Sequence, residues 1–233
     1  MEQHKVVSHA EWLNERTRFL AKEKEFTGLR DELNAERRAL PWEKVEKKYV
    51  FEGPNGKETL AQLFDGRSQL LVYHFMLAPD SKVGCHGCSW WADNIEQNVV
   101  HLAHRDTTVV LVSQGQLANI NAFKKRMGWT TKWVSSYGSD FNFDYGVSFK
   151  LETVEKGEAI YNYKPSTRKA TEMPGISVFY KNADGQVFHT YSCYERGLDM
   201  TNAGYHFLDL TPKGRDEGEG NMKWLRHHDA YDQ

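Results

Sequence analysis

Residues 70–104 read LLVYHFMLAPDSKVGCHGCSWWADNIEQNVVHLAH, and the fold follows from how this stretch divides. Leu70 to Met76 is a compact apolar run, the pattern of a strand buried on both faces of a parallel sheet. Ala78 to Gly84 is a loop. From about Cys85 to His104 the apolar residues recur with a helical period. A buried strand thus delivers two cysteines, Cys85 and Cys88, to the start of a helix. Free N–H groups and the helix dipole favour negative charge there. A thiolate at Cys85 is stabilised by that position, and the thiolate is the nucleophile. Cys88 falls three residues on, on the same side of the first turn, at a separation compatible with a disulfide. Gly87 leaves the backbone free to close the small ring. A protonated His86 would favour the thiolate further and make the disulfide more oxidising.

Working outward, Thr107 to Ser113 (TTVVLVS) is the clearest strand, β-branched and bounded by polar residues. Leu117 to Met127 is a helix stopped by Gly128, and Trp133 to Ser136 a short strand. Ile176 to Tyr180 and Val187 to Ser192 are strands joined by Asn182-Ala183-Asp184-Gly185, a hairpin signal. Leu198 to His206 is helical. Upstream, Lys48 to Glu52 is a strand followed by the turn Gly53 to Gly56, and Thr59 to Phe64 is a helical turn or connector. Early alternation of strand and helix implies parallel pairing, and the late hairpin adds antiparallel strands. The expected class is α/β, a mixed central sheet flanked by helices. Three segments are expected: an N-terminal helical extension over 1–44, one domain over 45–210 with an insertion at 150–173, and a tail over 211–233.

The extension is a long helix over residues 8–40, with Ser8 as N-cap, Glu11 as capping-box partner and Pro41 as the stop. Trp12, Phe19, Phe26, Leu33 and Leu40 recur every seven residues, widened by Leu13, Leu20 and Leu29. That stripe admits two readings: packing on its own domain, or pairing with a partner, including a second copy in a homodimer.

The 233 residues carry a net charge of -2, so no global field draws the chain to nucleic acid or anionic lipid. No apolar run reaches the roughly 18 residues of a membrane span. The N-terminus MEQHKVVSHAEW lacks the pattern of a secretory signal, which places the protein in the reducing cytoplasm. Three cysteines argue against a structural disulfide framework. There is no second CxxC for zinc, and His101 and His104 lie about four turns from Cys85. No metal and no bound cofactor are expected.

Met173-Pro174-Gly175 immediately precedes the strand at Ile176. A proline there cannot donate to a ladder, and a cis peptide would account for it. His74, in the buried strand, is a candidate base for Cys85 or a core histidine. Asp93 could exchange protons with Cys88 or simply cap and solvate. Trp90 and Trp91 complete the candidate modulators. Asp140 and Asp144, among Phe141, Phe143 and Tyr145, could line a pocket or cap loops. Cys193 reads as a small buried hydrophobe.

Together these features resemble the thioredoxin-like superfamily over roughly residues 45–195. The resemblance makes Cys85 the attacking cysteine, Cys88 the resolving one and Pro174 the cis-proline. It also puts His86, Gly87 and Met173 beside Pro174 where substrate docks. GPNGKETLAQLF followed by LLVYHFM is similar to the entry of a peroxiredoxin-type domain. More closely, ERRALPW, CHGCSWWADN, FKKRMGW, WVSSYGSDFNFDYGVSF, GISVFY and YHFLDLTPKGRDE resemble the bacterial thioredoxin-like family of unknown function numbered 899. Departures are plain. The thioredoxin hallmark has Trp before the first cysteine and Pro between the two, whereas Gly84 precedes Cys85 and His86-Gly87 intervene. The peroxidatic signature, counted from Pro79, meets Val83 and His86 where Thr or Ser and then Cys are required. The resemblance implies a thiol–disulfide oxidoreductase acting on protein or small-molecule disulfides. The competing expectations are a redox-idle binding or scaffold protein and a thiol peroxidase without the usual signature.

Overall fold

The computed structural model describes residues 4–218 and 222–232. Two compact units, Met1–Pro41 and Trp42–Gln233, divide the chain. The first is one helix, α1 (His9–Arg38). Ser8 and Glu11 close a full capping box at its start, satisfying N–H groups that a helix end leaves open. None of its residues is buried, and Trp12, Phe19, Phe26 and Leu33 are all exposed.

The second unit is built on one eight-stranded sheet. Its strands are β1 (Glu43–Lys44), β2 (Val50–Gly53), β3 (Gly56–Thr59), β4 (Gln69–His74), β5 (Thr107–Ser113), β6 (Lys132–Ser135), β9 (Gly175–Lys181) and β10 (Val187–Tyr194). A separate small hairpin is formed by β7 (Ile160–Tyr161) and β8 (Lys164–Pro165). The order across the sheet is β1-β10-β9-β4-β5-β6-β2-β3. β4, β5 and β6 run parallel, while β9 is antiparallel to β4 and β10 to β9. Parallel neighbours need crossovers, and helices supply them: α2 (His86–Glu96) and α3 (Val99–Ala103) between β4 and β5, α4 (Leu117–Arg126) between β5 and β6. Parallel β4 and β5 beside the antiparallel pair β9 and β10 make the mixed central sheet that the sequence implied. Short helices α5 (Phe141–Asp144), α6 (Leu151–Glu155) and α7 (Ala203–Asp209) complete the unit.

Strand alternation separates two cores. Leu70 and Val72 of β4 join Val110, Val112, Val134, Phe141 and Phe179 on one face. Tyr73 joins Leu111, Trp133 and Ile176 on the other, packed against Cys88, Trp91 and Ala92 of α2 and Ile120 and Phe123 of α4. The two cysteines of the motif therefore sit on the Tyr73 face.

Several expectations are corrected. The helix expected from Cys85 to His104 is broken at Gln97–Asn98 into α2 and α3. Among the described residues there is no cis peptide bond, so the Met173–Pro174 bond is trans. The polar stretch 150–173 holds α6 and the β7–β8 hairpin, with Tyr161 buried beside Met173 and Tyr194. Glu43 and Lys44 pair with His189 and Phe188 of β10 and so belong to the sheet. The tail expected over 211–233 is described at residues 211–218 and 222–232, and the rest of it lies outside the described residues.

Candidate active site

Cys85 is the N-cap of α2. Its own N–H donates to the Met76 carbonyl (3.1 Å), and its carbonyl accepts from the Ser89 N–H and hydroxyl (2.9 Å each). Gly84 explains why no tryptophan stands before the motif. A Cβ there would lie 2.5 Å from the Phe75 ring and 2.7 Å from Phe123, closer than atoms pack, so only glycine lets the chain pass over these two rings.

The two thiols are free and unlike. The Cys88 thiol hydrogen-bonds to the Cys85 sulphur, and the N–H groups of Cys88 and Gly87 also point at it. These interactions outweigh burial and bring Cys85 down to about 6, as expected of a thiolate at a helix N-terminus. Cys88 is buried, and that burial, with the negative Cys85 beside it, holds its thiol well above the ordinary value. The Tyr73 hydroxyl and the Met76 N–H (3.4 Å) partly offset this as donors to Cys88 sulphur. Tyr73 itself is fully buried, and burial keeps its phenol protonated and available as that donor. Near neutral pH the pair is thus one thiolate on one protonated thiol.

Glu172 is the second titrating group. Burial, with the Cys85 charge adding, raises its carboxyl to about 7. A backbone bridge between Glu172 and Ser148 fixes the segment that leads into Met173 and Pro174.

A cavity of about 710 Å³ opens on the cysteines. Cys85, Gly87, Cys88, Tyr73 and Trp91 line one side, and Met173 and Pro174 another. The structure therefore brings Cys85, Cys88, Gly87, Trp91, Met173 and Pro174 around one cavity. Trp91 is buried, its indole N–H donating to the Leu198 carbonyl (3.1 Å) and the Thr201 hydroxyl (3.0 Å). Trp90 packs instead on Tyr205 and Trp224.

Other candidates go elsewhere. His74 points to the opposite face of the sheet. It bonds the Ser177 hydroxyl (2.9 Å), lies against Phe141 and Tyr145, and is lowered by burial to about 3, so it is a neutral core histidine rather than a base for Cys85. Strand parity is the reason: Tyr73 and His74 are neighbours and must face apart. Asp93 accepts the Trp129 indole N–H (2.7 Å) and pairs with His228 (2.8 Å), a packing role. His86 is a weaker base than a free imidazole. Partial desolvation, then the nearby His227, Arg226 and Arg126, lower its basicity. Asp140 and Asp144 pair with Lys47 at 2.8 and 2.6 Å; Asp144 borders a second cavity of about 490 Å³, on the His189 side. Cys193 lies buried in the Tyr73-face core. Among the described residues no three His, Cys, Asp or Glu side chains converge as a metal site, and no helix is long and apolar enough to cross a membrane.

Sequence reasoning missed Tyr73, Glu172, Met222 and His227. Alternation along Leu71, Tyr73 and Phe75 was a usable signal for Tyr73. The others reach the motif only through long-range packing.

None of the curated proteins matches this sequence. Among solved structures, the peroxidoxin BcpB of Mycobacterium tuberculosis is similar at 12% identity, covering 70% of this chain and 93% of that one with a TM-score of 0.46. A peroxiredoxin Q of Xanthomonas campestris is similar at 11% identity over 67% of this chain and 86% of that one, with a TM-score of 0.46. Likeness at that level leaves the reading of the site to this chain's own residues. The family profile described as "Bacterial protein of unknown function (DUF899)" matches residues 1–231, essentially the whole sequence with the CxxC turn, both cores and the C-terminal segment, and the chain belongs to that family.

Proposed function

We propose that the protein is a thiol–disulfide oxidoreductase of a reducing cytoplasm. The observation that carries this reading is the placing of the pair: Cys85 at the N-cap of α2 lines a cavity together with Cys88 three residues on, and their surroundings favour the thiolate at Cys85 and the thiol at Cys88. Cys85 thiolate attacks one sulphur of a substrate disulfide, forming a mixed disulfide and releasing the other sulphur as a thiolate. Cys88 then gives up its proton and attacks the Cys85 sulphur. The protein disulfide closes and the second substrate thiolate leaves. A dithiol reductant restores the starting pair. Met173 and Pro174 border the place where the substrate sulphurs must sit.

The test is alkylation of the reduced protein by iodoacetamide across pH, followed by mass spectrometry, with the redox potential measured in glutathione buffers. Cys85 is expected to react with a midpoint of about 6, and the pair to close reversibly at a potential between roughly -120 and -270 mV. A Cys85 midpoint near the free value of about 8.5, with no disulfide in any buffer, sinks the proposal in favour of an idle binding module. Rapid consumption of hydrogen peroxide by the reduced protein would point to a thiol peroxidase instead.

A further inference from the structure

The segment from Met222 to Asp229 lies across the CxxC turn and is fastened at both ends. The buried His227 ring donates from Nε2 to the carbonyl of Gly84, the residue before Cys85 (2.9 Å), and lies tilted against His86 with ring centres 4.2 Å apart. Arg126 of α4 grips Asp229 with two bonds of 2.8 Å. His228 pairs with Asp93 of α2 (2.8 Å), and Trp224 packs edge-on against Trp90. At the near end, the Met222 N–H donates to Glu217 (3.1 Å). A Cβ on Gly87 would lie 3.1 Å from the Met222 sulphur and 3.7 Å from the Cys85 sulphur, so thioether and thiolate flank the bare glycine. A chain end tied at this many points is a wall, not a loose tail.

Met222 is one edge of the cavity over Cys85. Met173, Pro174, Leu198 and Arg215 line it as well. The cavity, about 710 Å³, falls within the range of small-molecule sites, roughly 300–1,000 Å³. Attack on a disulfide needs the incoming sulphur in line with the S–S bond. On an open surface a folded protein can present its disulfide that way. Inside walls on several sides it must bring its backbone past Met222 and Met173 first.

We propose that Cys85 is built to exchange with low-molecular-weight disulfides, and that the Met222–Asp229 strap excludes folded protein disulfides. This rests on the exchange chemistry proposed above. The small disulfide is the oxidant, its two thiols are the products, and the Cys85–Cys88 disulfide is what the protein keeps.

The test uses the reduced full-length protein with two probes, bis(2-hydroxyethyl) disulfide and insulin. Formation of the Cys85–Cys88 disulfide is followed by mass, and each rate is divided by that of the same probe with a free monothiol. The small probe is expected to be favoured by about a hundredfold, the scale that misplacing the reacting atoms costs. Asp229→Ala, which unfastens the strap, is expected to raise the insulin rate by about tenfold and leave the small-probe rate unchanged. The exchange Arg126→Asp with Asp229→Arg should restore the preference and guards against a folding defect in the single variant. Equal normalised rates in the wild type, or an insulin rate unmoved by Asp229→Ala, overturn the inference while leaving the oxidoreductase reading intact. Failure of both probes, with a Cys85 midpoint near 8.5, overturns the two together.

Discussion

At the scale of single residues, the site is governed by who holds a proton. Cys85 is stabilised as a thiolate by three donors, Cys88 is kept protonated by burial, and Glu172 is raised to about 7 by burial and the Cys85 charge. The sign for Glu172 is definite. Folding raises it above the unfolded value of about 4.3, so its contribution is fully present below that pH and is lost as pH rises through about 7. Glu172→Gln, neutral at every pH, should therefore melt with the wild type at pH 4 and on the order of 10 °C above it at pH 8. The same substitution removes a negative neighbour and should shift the Cys85 alkylation midpoint downward. Identical melting at both pH values would show that the carboxyl is not held up by folding. The cysteine pair was legible from the sequence because spacing and helix position are local. Glu172 was not, because its burial is created by residues far along the chain.

At the scale of elements, β9 is where the site meets the sheet. It pairs with β4 on one side and β10 on the other, and its first residue, Gly175, lies opposite both His74 and Tyr194. A Cβ at Gly175 would meet the Tyr194 ring at 2.8 Å and Val147 at 3.0 Å. The Tyr194 ring has little room to yield, because its hydroxyl is bonded to the Tyr145 carbonyl (2.9 Å). Gly175→Ala should cost about 1–3 kcal/mol, the usual range for overpacking, read as a lower denaturant midpoint with an unchanged slope. Wild-type stability in that variant would mean the strand can shift at this point. Strand existence was well marked in the sequence, most clearly at Thr107–Ser113, where the observed β5 has the same bounds. The break between α2 and α3 was not, since Asn98 interrupts a helical period that the apolar residues continue.

At the scale of the whole molecule, the reduced and oxidised forms should differ in stability in a pH-dependent way. Folding lowers Cys85 to about 6 from a free value of about 8.5. A lowered acid adds stability that is present at high pH and lost as pH falls through its folded value. Only the reduced protein has this thiolate. The stability of the reduced form minus that of the oxidised form should therefore rise by on the order of 2 kcal/mol from pH 5 to pH 8. The comparison stops at pH 8 because above it the raised Cys88 acts in the opposite sense. The disulfide's constraint on the unfolded chain does not depend on pH and drops out of the change. Denaturation of both forms at the two pH values reads this directly, and a flat difference would contradict the lowered Cys85. A stabilised reduced form also makes the disulfide a better oxidant.

Local physics lets the sequence by itself determine a great deal here. The capping box at Ser8 and Glu11, the buried strands β4 and β5, the hairpin of β9 and β10, and the placing of Cys85 at a helix start all follow from neighbours a few residues apart. Tertiary structure alone decided which groups surround the thiols. It turned His74 to the far face by strand parity and lowered the basicity of His86 by partial desolvation and then by the nearby His227 and two arginines. It brought Glu172 within electrostatic reach of Cys85, and it drew Met222 and His227 from far along the chain onto the CxxC turn. Desolvation and charge act through space, and nothing in the order of residues states that distance until the chain has folded.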